Sequence, residues 1–113
     1  MYETTIDSAA LPWSPTAWPG VSMKALRPPG ADGGGMTGLL RMAAGSTIPA
    51  HRHTRADQMV FVVEGDLVEH GVSYGPGSFF VARAGAAHGP HGTAGGCVLL
   101  SWYAGPPDFV AVG

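Results

Sequence analysis

The chain is poor in charge. Only 12% of its 113 residues are Asp, Glu, Lys or Arg, about half of the roughly one quarter usual in a globular chain. The formal net charge of −2 supplies no basic footprint, so neither nucleic acid nor an anionic membrane is expected as a partner. Cysteine is nearly missing too. Cys97 stands alone, which excludes an intrachain disulfide and a cysteine-based zinc site, and leaves a buried, inert thiol as its expected state. No apolar run approaches the roughly 20 residues of a membrane-spanning helix. The start, "MYETTIDSAALPW", lacks the basic-then-apolar pattern of a secretory leader, so the default compartment is the cytoplasm. No segment keeps a convincing helical periodicity.

What the chain has instead is glycine, proline and short apolar segments. The 18 Gly and 10 Pro are interleaved with the apolar stretches and read as turns between strands. The length suits one small domain. With 45% hydrophobic residues and so little charge, a homodimer or higher homo-oligomer is expected to cover part of the apolar excess. Residues 1–35 read as an irregular N-terminal arm, rich in Pro and Trp, followed by a first strand at 21–26 and a loop at 27–35; Trp13 and Trp18 are expected to pack on the body or on a second subunit. Strands follow at 36–43, 58–64, 66–70, 78–83 and 96–104, and residues 105–113 are left as a C-terminal tail. In "QMVFVVE" (58–64), Met59, Phe61 and Val63 form one face and Val60 and Val62 the other. Both are apolar, so burial of both is expected. The pattern is all-β, a sandwich or barrel.

The five histidines all fall between residues 51 and 91. In an extended segment, residues two apart point the same way, so His51 and His53 can grip one ion from one strand. His88 or His91, following a later strand, can supply a third imidazole, and imidazole suits zinc, iron, copper or nickel. The competing reading makes His51 and His53 surface residues beside Arg52 and Arg55.

Glycines at set distances separate these readings. Gly45, His51, His53, Gln58 and Gly65 repeat the spacing of the first motif of the cupin superfamily, with Gln where that motif has Glu. Gly77, Gly85 and His88 repeat the second, with Arg83 in place of its Pro and Gly92 in place of its Asn. The sequence therefore resembles the cupins over residues 36–104. The resemblance implies a double-stranded β-helix, a jelly-roll barrel, holding one divalent metal on His51, His53 and His88, with Gln58 at the glutamate position. A neutral amide there would leave the ion its full charge, favouring an anionic substrate such as an enolate. Asp57 competes for that role at a spacing the motif also allows, although the strand phase aims it away from the side Gln58 takes.

A narrower likeness is carried by "LPWSPTAWPGVSMKAL", "LLRMAAGSTIPAHRHT" and "GSFFVARAGAAH". It is similar to the small cupins that include acetylacetone-cleaving enzymes, dihydroxyacetophenone dioxygenase and the zinc-binding cupins of certain anti-sigma factors. This likeness implies non-haem Fe(II) held mainly by three histidines, and O₂-dependent cleavage of a C–C bond beside a carbonyl in a small β-dicarbonyl or hydroxyketone. Zinc or nickel in a non-redox isomerase or polyketide-type cyclase, and a non-catalytic metal-binding module, are the alternatives. In that group a carboxylate outside the first motif can approach the metal, and Glu69 is the candidate. His91 is a further candidate ligand or a residue supporting the ligands. Val60, Val62, Arg41, Phe80 and Trp102 are the expected pocket residues.

Overall fold

The computed structural model of the protein describes residues 1–28, 30 and 35–112. Most of the expected loop at 27–35, namely Pro29 and residues 31–34, lies outside them. Among the described residues a single 3₁₀ turn (Ser8–Ala10) precedes thirteen strands: β1 (Ser14–Pro15), β2 (Val21–Arg27), β3 (Met36–Met42), β4 (Thr47–Ile48), β5 (His51–Arg52), β6 (Gln58–Gly65), β7 (Leu67–Glu69), β8 (Val72–Tyr74), β9 (Phe79–Ala82), β10 (Ala87–His88), β11 (His91–Gly92), β12 (Cys97–Tyr103) and β13 (Val110–Ala111). They form three antiparallel sheets. The largest runs β1-β2-β3-β12-β6-β9; the others run β10-β5-β13 and β4-β11-β7-β8. The fold is all-β, with the strand layout of a cupin barrel.

Alternation along the central strands builds the interior. Gln58, Val60 and Val62 on β6 stand opposite Tyr103, Ser101 and Leu99 on β12. These in turn oppose Met36, Gly38 and Leu40 on β3. The closed end of the barrel is filled by Val21, Met42, Val62, Cys97 and Leu99 from the large sheet, with Ile48 and Leu67 from the four-stranded sheet. Burial of each such aliphatic side chain stabilises the fold by about 1.5–3 kcal/mol. The opposite end stays open as a cavity.

Gly65 closes β6 at φ +80°, a backbone region that favours glycine. A Cβ at that position would run into the carbonyl oxygen of Gly96, because β12 begins hard against the turn.

Within the single chain, only one of the two apolar faces of β6 is buried. Val62 is wholly enclosed, yet Phe61 is 38% and Val63 46% exposed. The outer face of the large sheet has only a partial cover. The N-terminal arm lays Trp13 beneath the Lys24 ammonium and the Arg41 guanidinium, 4.6 and 4.4 Å from its ring, while Lys24 donates to the Ser8 carbonyl at 2.7 Å. That cover stops at β2 and β3, leaving Phe61 with Phe79 and Val81 of the edge strand β9 facing outward. Within the C-terminal tail, β13 pairs with β5.

Candidate metal centre

His51 and His53 are brought to one point by the shortest of strands. β5 places His51 directly opposite His88 of β10, and alternation carries His53, just past its end, to the same side. One ligand-type nitrogen from each of His51, His53 and His88 lies within 4.8 Å of the others. The ring centroids are 4.8 Å (His51–His53), 4.4 Å (His51–His88) and 5.1 Å (His53–His88) apart. His51 and His53 are buried; His88 is partly so.

The hydrogen bonds decide which nitrogens face the centre. His51 Nδ1 lies 2.8 Å from the Pro49 carbonyl and His53 Nδ1 lies 2.6 Å from the Asp108 carbonyl. A carbonyl oxygen only accepts, so each Nδ1 carries a hydrogen, and Nε2 is the nitrogen each ring turns toward the centre. This is the support that metal-bound imidazoles receive. The Gln58 amide lies at the first inward position of β6. Its nitrogen donates to Ser101 Oγ at 2.8 Å, and its oxygen is 3.0 Å from His53 Nε2. The amide oxygen only accepts, so this short contact is satisfied by a positive partner between the two atoms, a ring proton or a shared cation. His88 Nε2 is buried without a hydrogen-bond partner, a costly state for a nitrogen unless it has a ligand. Burial, with the neighbouring His51, His91 and His53, pulls the His88 pKa down to about 3. Burial is also the largest cause holding His51 below its usual value. Both rings are therefore neutral at pH 7, as coordination requires. A divalent metal ion fits this donor set.

His91 stands at the edge of the same cluster, its ring centroid 5.0 Å from that of His88 and 5.6 Å from that of His51. Its Nδ1 is hydrogen-bonded to Glu69 Oε1, with His91 and Glu69 paired in register across β11 and β7. Glu69 is thus engaged with His91. Asp57 points away: its carboxylate accepts from the Ala84 N–H at 2.8 Å and lies 4.0 Å from Arg83.

The cluster opens into a cavity of about 720 Å³. Val60 and Phe80 line it, together with Met23, Leu40, Leu99 and Tyr74. Three other expected pocket residues are not part of its wall. Val62 is one step deeper on β6 and belongs to the core. Arg41 lies on the outer face under the arm, against Trp13. Trp102 follows the inward Ser101 and so faces out, its ring 5.9 Å from that of Phe79. Strand parity explains Arg41 and Trp102, since neither phase can be read until β3 and β12 are paired. Residues that sequence reasoning missed include Ser101 and Tyr103 on β12, Trp18 from the arm, whose ring stacks 6.2 Å from His51, and Phe109 from the tail. Tyr103 packs edge-on to His53 at 5.0 Å, and burial pushes its phenol up to about 12.

Residues 1–104 match the family model of the ChrR cupin-like domain. The chain belongs to that cupin family. Among curated proteins none matches this cupin. Solved structures do, at low identity. The polyketide cyclase RemF from Streptomyces resistomycificus is 16% identical with a TM-score of 0.82, over 99% of this chain and 87% of that one. An acetylacetone dioxygenase from Acinetobacter johnsonii is 19% identical with a TM-score of 0.76, over 97% and 78%. The anti-sigma ChrR, solved with SigE from Rhodobacter sphaeroides, is 24% identical with a TM-score of 0.67, over 84% of this chain and 49% of that one. At these identities the likeness establishes the fold. No helix among the described residues is long and apolar enough to cross a membrane.

Proposed function

We propose that this cupin is a metal-dependent enzyme that binds an enolisable carbonyl compound as its enolate and, with Fe(II) and O₂, cleaves the C–C bond beside the carbonyl. The observation that carries the reading is the neutrality of the donor set. His51, His53 and His88 gather within 4.8 Å, and their next neighbour is the Gln58 amide. Glu69, a carboxylate beside the cluster, is held by His91. Ferrous iron bound there would supply Lewis acidity and reactivity toward O₂. The protein's own part is to hold the ion without neutralising it, so that an anionic, chelating substrate is favoured over a neutral one. His91, oriented through Nδ1 by Glu69, is placed to accept the proton lost on enolisation at Nε2. The apolar wall of Val60, Phe80, Leu40 and Leu99 excludes water from the enolate.

Aerobic turnover of β-diketones and hydroxyacetophenones by protein loaded anaerobically with Fe(II) is the expected result. Absence of O₂ uptake with every member of both classes would refute the dioxygenase reading.

A second reading is favoured by one observation. A cavity of about 720 Å³ falls in the range of sites for drug-sized ligands, roughly 300–1,000 Å³, and exceeds what a small β-dicarbonyl needs. A larger, polyketide-like substrate isomerised or cyclised on zinc or nickel, without O₂, uses the same proton acceptor and the same charge. Near-stoichiometric zinc or nickel, without iron, in protein purified with no added metal supports this alternative.

A further inference from the structure

His51 and His53 receive the same kind of backbone support from very different distances along the chain. The Pro49 carbonyl that orients His51 is two residues away, within one turn of chain. The carbonyl that orients His53 belongs to Asp108, 55 residues away. Asp108 is itself fastened to the segment that follows His53. Its carboxylate accepts from the backbone N–H of Thr54 at 2.7 Å and of Arg55 at 3.3 Å, and from the Thr54 hydroxyl. The next residue, Phe109, packs its ring 4.6 Å from His53, 5.1 Å from His51 and 5.6 Å from Trp18. Beyond it, β13 pairs Ala111 with His51 and Val110 with Arg52, on the edge of β5 that β10 leaves free. Val112 then donates to the Ala50 carbonyl at 3.3 Å.

Residues 108–112 therefore touch two of the three clustered histidines while adding nothing to the core, which is built from Val21, Met42, Ile48, Val62, Leu67, Cys97 and Leu99. We propose that the C-terminal segment is a strap whose Asp108 is a positioning residue for metal binding, holding His53 in the Nδ1–H tautomer with Nε2 aimed at the ion. The inference rests on the reading of the His cluster as a metal centre and deepens it. The physical logic is that of outer support in metal sites. A ligand imidazole free to flip or change tautomer must be ordered when the ion binds, and loss of such support weakens binding by about 10–100-fold. The strap orders His53 beforehand. Its carboxylate fastens the tail to Thr54 and Arg55, and that anchorage keeps the Asp108 carbonyl on His53.

The test compares full-length Asp108→Ala, Asp108→Asn and Asp66→Ala. Asp66 is a fair control because it makes the same kind of cap, accepting from Ala94 and Gly95 N–H at 2.7 and 2.8 Å, away from the cluster. Zinc affinity is read by competition with a chromogenic chelator, and the His53 tautomer by long-range ¹H–¹⁵N spectra of metal-free protein. Expected are Nδ1-protonated His53 in the wild type, zinc binding about 10–100-fold weaker in Asp108→Ala with a mixed His53 tautomer, most of the affinity regained in Asp108→Asn, and an unchanged affinity in Asp66→Ala. A wild-type His53 protonated at Nε2 would overturn the proposal even if a variant failed to fold. Equal losses in Asp108→Ala and Asp66→Ala would also overturn it, reducing the strap to general stabilisation. Wild-type protein that binds no zinc would instead remove the metal centre itself, and the strap with it; wild-type binding matched by Asp108→Ala would remove only the strap.

Discussion

Gln58→Glu changes the charge of the centre at nearly constant size. The side chain is buried, with its oxygen 3.0 Å from His53 Nε2 and its nitrogen donating to Ser101 Oγ at 2.8 Å. A carboxylate retains the second contact if Ser101 turns its hydroxyl to donate, which a hydroxyl can do freely. At a separation of about 4 Å and an effective dielectric of about 20, two unit charges interact by about 4 kcal/mol, so a carboxylate and a dication attract by roughly 8 kcal/mol. Desolvating the carboxylate costs several kcal/mol of that. The remainder, on the order of 1–3 kcal/mol, corresponds to metal binding about 10–100-fold tighter. Turnover should move the other way. An ion with part of its charge cancelled stabilises an enolate less, so kcat is expected to fall by about the same 10–100-fold. The assay pairs chelator competition for affinity with O₂ uptake, or product formation under the non-redox reading, on the same metal-loaded sample. Unchanged affinity and turnover would mean that residue 58 does not face the ion. Tighter binding with undiminished turnover would refute the argument that a neutral donor set serves an anionic substrate.

Three other outcomes follow from the same geometry. The His88 pKa of about 3 lies below its usual 6.5, so between those values the unfolded chain binds the extra proton; metal-free protein should keep full stability above about pH 6.5 and lose it as pH falls toward 3. Urea midpoints at several pH values check this, and a His88→Gln variant with the same pH slope would refute it. Met42→Ala, at a side chain 1% exposed in the closed end of the barrel, should cost about 2–5 kcal/mol in chemical denaturation and leave the ligand geometry intact. The open face around Phe61, Phe79 and Val81 predicts self-association, and Phe79→Asp should move the protein toward monomer in sedimentation velocity. A wild-type monomer at high concentration would refute that expectation.

The parts of this molecule that were legible beforehand are those written in local spacing. Alternation on β6 separated its two faces, and glycines at turns marked where strands end; Gly65 stands where it does because any Cβ would meet Gly96. Strand parity paired His51 with His53 and left His88 or His91 as the third; the resemblance to the cupins implied His88, and those three lie together. Reading stopped where a residue's role depends on what lies across from it. Whether the outer face of β6 is covered depends on how far the arm reaches, and its Trp13 lies against Lys24 of β2 and Arg41 of β3, short of β6. Ser101 and Tyr103 face the cavity, and Trp102 does not, because β12 takes its phase from pairing with β6 through a bulge at Val98 and Leu99.

By itself, the sequence determined an all-β pattern with few charges and two histidines on one face of a strand, while its resemblance to the cupins implied the barrel, the third imidazole and an amide where the cupin motif has a carboxylate. The first are properties of residue type and local period, which survive any later detail of packing. The tertiary structure alone decided that Glu69 is committed to His91, that Arg41 serves the arm, and that Asp108 reaches back to His53 across 55 residues. Each of those contacts joins groups far apart in the chain. Such contacts form only after the sheets have closed, so no periodicity in the residues could announce them.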